Sequence, residues 1–308
     1  PFSVGDILYI VAAVMLVIGL VSFFKRILNK ELTRAYFIRL GSSILQLALY
    51  VYIVFNLFWG LNYDRKGIAY QLELEVKPYT TSDLCDLVQM VVKRLNTLDS
   101  VSRIERPQLK EKSFLFASSV ESYKILSDHD LIFTYPSPSV KPSIFSYLGN
   151  YLGFTGYYNP FSGEAQVNTT VPVYIQPFTT CHEIGHQLGY AKENEANFAG
   201  YLSGKSSTNM AFRYSVYFDV YLYAASQLYV RDSSLAISFR DQLRPGVRKD
   251  FRDLRQFFTM YESPLEPYIR RLYGRYLKAN NQPQGLLTYD EVVAWLVAYS
   301  KRYGNDAL

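Results

Sequence analysis

Cysteine and histidine are both scarce in this chain, which contains two Cys and three His among 308 residues. Cys85 and Cys181 lie far apart, and a single pair excludes the dense disulfide framework of small secreted domains. We expect two free thiols, although one bridge between them stays open, and the pair does not indicate the cellular compartment.

Runs of like charge, low-complexity tails and internal repeats are also absent, and the formal net charge is only +5. A balance this mild predicts no nucleic-acid partner. The chain is 49% hydrophobic and contains 28 Tyr and 20 Phe, so it can bury a sizeable core in one large or two smaller domains. Its first residue is Pro and not Met, and we expect it to belong to a longer chain.

Two long stretches carry no charge at all. Residues 7–24 (ILYIVAAVMLVIGLVSFF) and 40–61 (LGSSILQLALYVYIVFNLFWGL) are close to the roughly 20 residues that a membrane-spanning helix needs. Trp59 and Tyr63 stand near the end of the second stretch, where interfacial aromatic residues are common. Buried core helices of this length usually carry several charges. We therefore predict two transmembrane helices, which make residues 1–61 a membrane anchor.

The segment between these stretches, FKRILNKELTRAYFIR, contains five basic residues and one acidic residue. Short loops rich in Lys and Arg tend to stay in the cytoplasm. We therefore predict a multi-pass protein of the cell membrane in which residues 62–308 form an extracytoplasmic catalytic domain. Membrane lipid is accordingly one expected partner.

The remainder of the chain is predicted to be mainly α-helical. The spacing of apolar residues predicts helices over residues 82–95 (with Ser82 as N-cap), 210–230, 263–278 and 288–302, the last opened by a capping box of Thr288 and Glu291. Arg213 and Asp219 favour a buried helix of the domain over a third membrane span at 210–230.

One segment has a different pattern. Residues 145–176 contain aromatic and β-branched residues broken by Gly and Pro, with the turn sequence NPFSG and the partly alternating stretch EAQVNTTV. This pattern predicts a β-hairpin or small sheet. It lies directly before the sequence TTCHEIGHQLGYAKENEANFAGYL, on which the functional prediction depends.

The sequence HEIGH at residues 182–186 contains two histidines four residues apart. On a helix both imidazoles lie on one face and can reach one ion. Glu183 would then point towards the place of a water molecule, whose pKa zinc lowers towards 7 and whose proton the Glu takes. The pattern arises by chance in many chains, but here it uses two of the three histidines. The third, His129, lies in the polar stretch SDHDL and is expected to be solvated.

A catalytic zinc usually has three protein ligands and one open position. One class of zinc peptidase continues the motif as H-E-x-x-H-x-x-G-x-x-H, and this chain matches it at Gly189 but has Lys192 in place of the third His. A protonated ammonium group has no lone pair to donate, which excludes that class. Gly189 is instead expected to end the motif helix, and Thr179 or Thr180 to cap its start.

The residues that follow resemble the gluzincins, zinc peptidases whose third ligand is a Glu of a second helix in the pattern E-x-x-A-D/N. The sequence ENEAN matches this pattern with Glu193 and Asn197. The resemblance implies that Glu193 joins the two imidazoles as a zinc ligand and that Asn197 orients a ligating His from behind. Gluzincins usually have a longer insert, whereas only six residues separate His186 from Glu193 here. Glu195 therefore stays open as a rival ligand.

A second resemblance covers nearly the whole chain. Its segments PFSVGDILYI, WGLNYDR, PFSGEAQVN, HEIGHQLGYAKENEANFAGYL and YLKANNQPQGLLTYDEVV resemble a family of uncharacterised bacterial membrane proteins known only as a domain of unknown function. The resemblance implies a bacterial inner-membrane protein that carries a zincin motif, and it implies no activity.

The combined prediction is a membrane-anchored, zincin-like metallopeptidase of the gluzincin type. It would use Zn²⁺ as cofactor and Glu183 as general base to hydrolyse a peptide or protein substrate. Two alternatives stay open. One is a non-catalytic, membrane-tethered zinc-binding or assembly protein, in which Glu195 or Cys181 would complete a closed site. The other is a zinc hydrolase that cleaves a non-peptide amide bond.

The sequence leaves several candidates for the residues that would bind the substrate and stabilise the transition state. A transition-state oxyanion needs a hydrogen-bond donor near the metal, and Tyr157, Tyr158, Tyr276 and Tyr289 are the candidates. Residues 154–168 could offer a strand edge to an extended peptide, although a hairpin of the core is equally open. Cys181 is expected to be a small, packed residue of the motif helix.

Overall fold

The computed structural model describes residues 2–283, 291–304 and 307–308 and is mainly helical in these ranges. The helices are α1 (Val4–Leu28), α2 (Arg34–Phe58), α3 (Ile68–Gln71), α4 (Thr81–Glu105), α5 (Lys112–His129), α6 (Ser146–Leu152), α7 (Gln176–Gln187), α8 (Glu193–Ser206), α9 (Met210–Arg231), α10 (Ser233–Asp241), α11 (Pro245–Met260), α12 (Glu266–Ala279) and α13 (Val292–Tyr303). The strands are β1 (Val140–Pro142), β2 (Gly156–Asn159) and β3 (Glu164–Val167).

The first two helices extend away from the other elements. α1 and α2 have 25 residues each, about 37 Å at the rise of an α-helix. Both are long and apolar enough to cross a membrane, and their side chains are exposed along nearly their whole length. The predicted second span covered residues 40–61, whereas the helix extends over Arg34–Phe58. α2 ends at Phe58 because Trp59 turns inward and packs with Tyr63 and Ala191 in a small buried cluster.

The start of α1 is fixed to the sheet by the carboxylate of Glu164. This carboxylate accepts hydrogen bonds from the backbone N–H groups of Val4 (3.2 Å) and Gly5 (2.8 Å) and from the Ser3 hydroxyl (3.0 Å). A carboxylate at this position complements the positive end of the helix dipole. Asp6 of the same turn accepts a hydrogen bond from the backbone N–H of Ile144 at 2.6 Å. The helix therefore meets the rest of the chain through several buried polar contacts.

The predicted hairpin is present as part of a three-stranded sheet. Its strand order is β1-β3-β2, with β3 parallel to β1 and antiparallel to β2. Gly163 has a φ of +70° in the turn of the hairpin, a conformation that favours glycine. The short helix α6 lies in the same region and was not predicted, because seven residues offer too little helical periodicity.

The core of the helical part is formed largely by α4 and α9, which pack along each other. Tyr214 and Phe218 of α9 are fully buried, and the prediction of a buried helix at 210–230 is confirmed. α4 begins earlier than predicted. Thr80 caps this helix in place of Ser82, because its hydroxyl accepts from the N–H of Asp83 while the Asp83 carboxylate accepts from the N–H of Thr80.

Two further helices were predicted near the C-terminal end of the sequence. α12 (Glu266–Ala279) agrees closely with the predicted 263–278, and α13 (Val292–Tyr303) agrees with the end of the predicted 288–302. The predicted capping box depends on Thr288, which lies outside the described residues.

α7 and α8 cross at unusually close range because glycine stands at the contact points. A Cβ atom added to Gly200 would lie 3.0 Å from the backbone nitrogen of His182, and one added to Gly185 would lie 3.3 Å from the Cα atom of Ala196. Such distances leave little room for any larger residue. The crossing therefore places the first turn of α8 beside the histidines of α7.

The chain reverses between these helices in a tight C-terminal cap. Gly189 has a φ of +89°, its N–H donates to His186 O at 2.8 Å, and the N–H of Tyr190 donates to Gly185 O at 3.2 Å. This is the Schellman pattern, so Gly189 ends the helix as predicted. The predicted cap at Thr179 or Thr180 was wrong, because α7 begins at Gln176 with a proline in its first turn.

We expect Gly200→Val to destabilise the protein. Its methyl groups would press against the backbone of His182, and overpacking of this kind costs about 1–3 kcal/mol. A thermal unfolding curve in detergent should show a midpoint lowered by several degrees. Gly41→Val on α2 is the matched control, since no atom lies within 4 Å of its Cβ position. Equal midpoints for the two variants would contradict the close crossing.

Candidate metal centre

The histidines of the motif lie one helical turn apart on the buried face of α7. The ligand atoms of His182, Glu183 and His186 all lie within 4.8 Å of one another, and all three residues are buried. The two imidazole rings are nearly perpendicular, with centroids 4.8 Å apart. Their arrangement follows from the i, i+4 spacing in the sequence.

The first residue of α8 brings a carboxylate to these imidazoles. Glu193 Oε2 lies 3.3 Å from His182 Nε2 and 3.6 Å from His186 Nε2. Its other oxygen accepts a hydrogen bond of 2.7 Å from the Tyr273 hydroxyl of α12. The side chain is thus held on one side by a tyrosine while it faces both histidines on the other.

The rival carboxylate lies elsewhere. Glu195 packs directly against Gly67, in the segment that precedes α3, and is not part of the cavity that the histidines line. Burial raises the pKa of Glu195 to about 7, against the opposing charges of Lys192 and Arg65. Of the two glutamates left open by the sequence, Glu193 is therefore the one near the imidazoles.

The outer nitrogens of the two imidazoles have different surroundings. His186 Nδ1 lies 2.8 Å from the backbone carbonyl of Tyr190, a contact that the helix cap creates. His182 Nδ1 and both amide atoms of Asn197 are buried without a hydrogen-bond partner among the described residues. Asn197 lines the same cavity as the histidines, but no hydrogen bond joins it to either of them in the described structure. The carbonyl of Tyr190 was not predicted, since any residue could supply it.

The charges in this cluster are arranged for a cation. Burial by itself would raise the pKa of Glu193, but the neighbouring His186 and His182 outweigh it and hold that pKa well below its usual range. Burial lowers the pKa of His186, and the Glu193 carboxylate reverses this and raises the pKa to about 9. Glu193 is therefore anionic, and its charge favours a positive charge beside it, which is either a proton on His186 or a metal ion between the side chains.

Two carboxylate oxygens support the same interpretation. Oε2 of Glu183 and Oε2 of Glu193 are both buried and have no hydrogen-bond partner among the described residues. Buried polar atoms without a partner are uncommon and call for an ion or water that satisfies them. Two imidazole nitrogens and a carboxylate oxygen are a donor set that divalent transition metals accept. The residues present therefore fit a metal ion.

Glu183 differs from Glu193 in its surroundings. Burial raises the pKa of Glu183 to about 7, although His182 and His186 oppose the shift. Its Oε1 would lie 2.6 Å from a Cβ atom on Gly156, so the first residue of β2 must be small here. A carboxyl group with a pKa near neutrality can both accept and return a proton.

The cluster lies in the wall of a cavity of about 1160 Å³. Residues of α1, α2, β2, α7, α8, α9, α11 and α12 line it, and most of them are apolar or aromatic. The acid of α9 in this wall is Asp219, whose pKa burial raises to about 8. Glu266 and Arg270 of α12 also line the cavity and form an ion pair at 3.8 Å, while the rest of the wall is largely apolar, as is common in sites for organic ligands.

The tyrosines predicted as hydrogen-bond donors to an oxyanion differ in their positions and partners. Tyr157 and Tyr158 line the cavity, but the Tyr157 hydroxyl is bonded to Ser143 (2.8 Å) and to Asp6. Tyr276 lines it too, and its hydroxyl lies 3.2 Å from that of Tyr63. The remaining candidate, Tyr289, lies outside the described residues.

Three aromatic residues near the two histidines and Glu193 were not predicted to belong to the site. Trp59 packs edge-on against His186 with ring centroids 6.0 Å apart, Tyr63 shares its hydrogen bond with Tyr276, and Tyr273 bonds Glu193. In a chain with 28 Tyr, no local pattern distinguishes these residues. The sequence WGLNYD could have pointed to two of them, Trp59 and Tyr63, because its aromatic residues directly follow an apolar stretch.

Cys181 and His129 do not belong to the group formed by His182, His186 and Glu193. Cys181 is fully buried and receives a hydrogen bond of 3.7 Å from the Ser203 hydroxyl, so it is a packed residue as predicted. Both cysteines are free thiols. His129 is exposed as predicted and is the last residue of α5.

The model of one protein family, described as "Protein of unknown function (DUF3810)", matches residues 1–297 of the chain. The chain belongs to this family. The predicted membership of a family without assigned function is therefore confirmed. No curated protein and no solved structure matches the chain. The function of this DUF3810 member is therefore inferred from the residues of its site.

We expect purified protein to hold about one zinc ion per chain, as a single three-ligand site predicts. The double variant His182→Ala/His186→Ala should lose it, and Glu193→Gln should weaken its binding. Glu195→Gln is the matched control and should bind zinc like the wild type. Elemental analysis after dialysis against a weak chelator measures all four proteins. A Glu195→Gln variant that loses zinc while Glu193→Gln keeps it would reverse the assignment.

Proposed function

We propose that the chain is a membrane-anchored zinc metallopeptidase of the gluzincin type. The observation that carries this proposal is the Glu193 carboxylate, which lies 3.3 and 3.6 Å from the two motif imidazoles beside the buried Glu183. A chance pair of histidines on a surface helix would have no reason to be buried, nor to face a carboxylate from a second helix.

In this proposal His182, His186 and Glu193 hold the ion. Two imidazoles and one carboxylate are the ligands of one well-known type of catalytic zinc site, and such sites keep a fourth position open. When bound, zinc lowers the pKa of a coordinated water and polarises a substrate carbonyl. The open position is consistent with the placement of the two residues that would close the site, because Glu195 lies against Gly67 and Cys181 against Ser203.

Glu183 is proposed as the general base. It is adjacent to the first ligand, is buried, and has a pKa that burial raises to about 7. A base with this pKa can take a proton from water at neutral pH and return it to the leaving amine. A purely structural metal site would not need such a residue.

The substrate is proposed to lie extended along β2. This strand is at the edge of the sheet and pairs with β3 on one side, and no other described strand covers its second side. Gly156, Tyr157 and Tyr158 line the cavity, and Gly156 approaches Glu183 closely. An extended peptide added to this edge would gain main-chain hydrogen bonds and pass over the base.

Tyr63 and Tyr276 are proposed to supply the donor for the developing oxyanion. Their hydroxyls lie 3.2 Å apart and share one hydrogen bond, which uses one of their two protons. The other proton is available to a substrate oxygen in the same cavity. Stabilisation of this kind is worth about 2.7–4 kcal/mol in other hydrolases.

The arrangement of α1 and α2 supports a proposal for the position of the membrane. The domain ends of both helices, at Val4 and Phe58, lie on the same side, and the basic turn between them lies at the other. We propose that the turn is cytoplasmic and that the cavity lies on the extracytoplasmic side. We propose the bacterial inner membrane as the location, which is what the resemblance of the sequence implies.

We expect Glu183→Gln to keep its zinc and to lose hydrolysis by about 10²–10⁴-fold, because it removes the base and leaves the ligands in place. The measurement compares new peptide termini by mass spectrometry in native membranes that contain either the wild type or the variant. Glu195→Gln is the control and should cleave like the wild type. Identical cleavage by wild type and Glu183→Gln would remove Glu183 as the base and the peptidase proposal with it.

A further inference from the structure

The cavity that contains the metal cluster extends between the two candidate membrane helices. Tyr9 and Ala13, one turn apart on α1, line it together with Phe55 of α2. Ala13 is nine residues beyond the start of α1, about 14 Å along the helix axis. It also lies within the uncharged stretch that begins at Ile7. The cavity thus reaches the depth of a bilayer that these helices would cross.

The side of the cavity between these helices is not closed by packing. Ring contacts between α1 and α2 lie near their connecting turn, where Phe23 stacks on Tyr36 with centroids 6.4 Å apart. The two helices are not among the described elements that pack along each other. Their facing side chains remain exposed nearly throughout. Lipid-facing apolar chains can therefore approach the cavity from the side.

We propose that the substrate is a membrane-anchored polypeptide, cut close to the point where it enters the bilayer, whose apolar flank occupies the opening between α1 and α2. This inference rests on the proposed metallopeptidase function and specifies its substrate class. The apolar flank packs against Tyr9, Ala13 and Phe55, and the polar side of the cleavage point lies along β2.

The size of the cavity determines the form in which this flank is bound. A volume of about 1160 Å³ must also hold the residues at the scissile bond. An α-helix with its side chains is about 10–12 Å wide, so a long helical segment does not fit beside them. The residues of the flank next to the scissile bond therefore enter extended and continue the polar side, whose backbone is hydrogen-bonded along the free edge of β2.

The test uses a substitution at the membrane end of the cavity. Ala13→Trp fills the opening, whereas Ala12→Trp places the same side chain at an adjacent position that does not line the cavity. Both residues lie on an exposed part of α1, so both variants are expected to fold. Neither touches the metal cluster, and zinc content should be unchanged in both.

The probe is a synthetic peptide with a polar segment joined to a Leu/Ala helix of about 20 residues, the length that spans a bilayer. It carries a photoreactive Leu at the junction and is incorporated with zinc-loaded Glu183→Gln protein in nanodiscs. Cross-links to α1 and α2 are mapped by mass spectrometry. We expect the yield to fall by about tenfold with Ala13→Trp added and to be unchanged with Ala12→Trp, since an overfilled site loses affinity on that order.

Three results would overturn the inference. The first is equal cross-linking in the Ala13→Trp and Ala12→Trp backgrounds. The second is that only a palmitoylated peptide cross-links and the peptide with the apolar helix does not. That result would assign the opening to an acyl chain. The third is equal cross-linking by the polar segment without its apolar helix. Because the assay needs no hydrolysis, it is independent of the cleavage comparison, and failure of the peptidase proposal is recognised separately.

Discussion

The candidate site depends on the close crossing of α7 and α8. A third ligand on a second helix reaches two imidazoles on a first helix only if the backbones approach within van der Waals contact. Gly185 and Gly200 permit that approach, and the cap at Gly189 turns the chain sharply enough to use it. The Glu193 carboxylate then lies 3.3 Å from His182 without any long insertion between the helices.

The juxtaposition of His182, His186 and Glu193 was largely predictable because these residues are close together in the sequence. The spacing of His182 and His186 is a helical period, and Glu193 follows within seven residues, so neighbouring turns of chain bring them together. Aromatic residues that surround the cluster were not predictable. Tyr273 reaches Glu193 from 80 residues away, and a tyrosine in an apolar helix has the same pattern whether it bonds a ligand or fills a core.

In the fold, too, features that depend on neighbouring residues were predicted better than features that depend on distant contacts. Long periodic helices such as α9 and the turn-bounded hairpin follow from the residues themselves. Short elements and ends were less well predicted, because α6 has seven residues and α2 stops where Trp59 finds a partner in the domain. Asn197 is a separate case. Its pattern predicted a contact with a histidine, yet its amide atoms have no hydrogen-bond partner among the described residues.

Glu164 belongs to two structures at once. Its backbone pairs with Asn159 of β2, and its carboxylate accepts hydrogen bonds from the first residues of α1. Gly5 approaches the Asn159 side chain so closely that no larger residue fits there. The start of α1 is thus held against the sheet by both a carboxylate and a close approach of the backbone. In the proposed membrane orientation, the direction of the α1 axis would therefore set how the strand beside Glu183 is inclined to the bilayer.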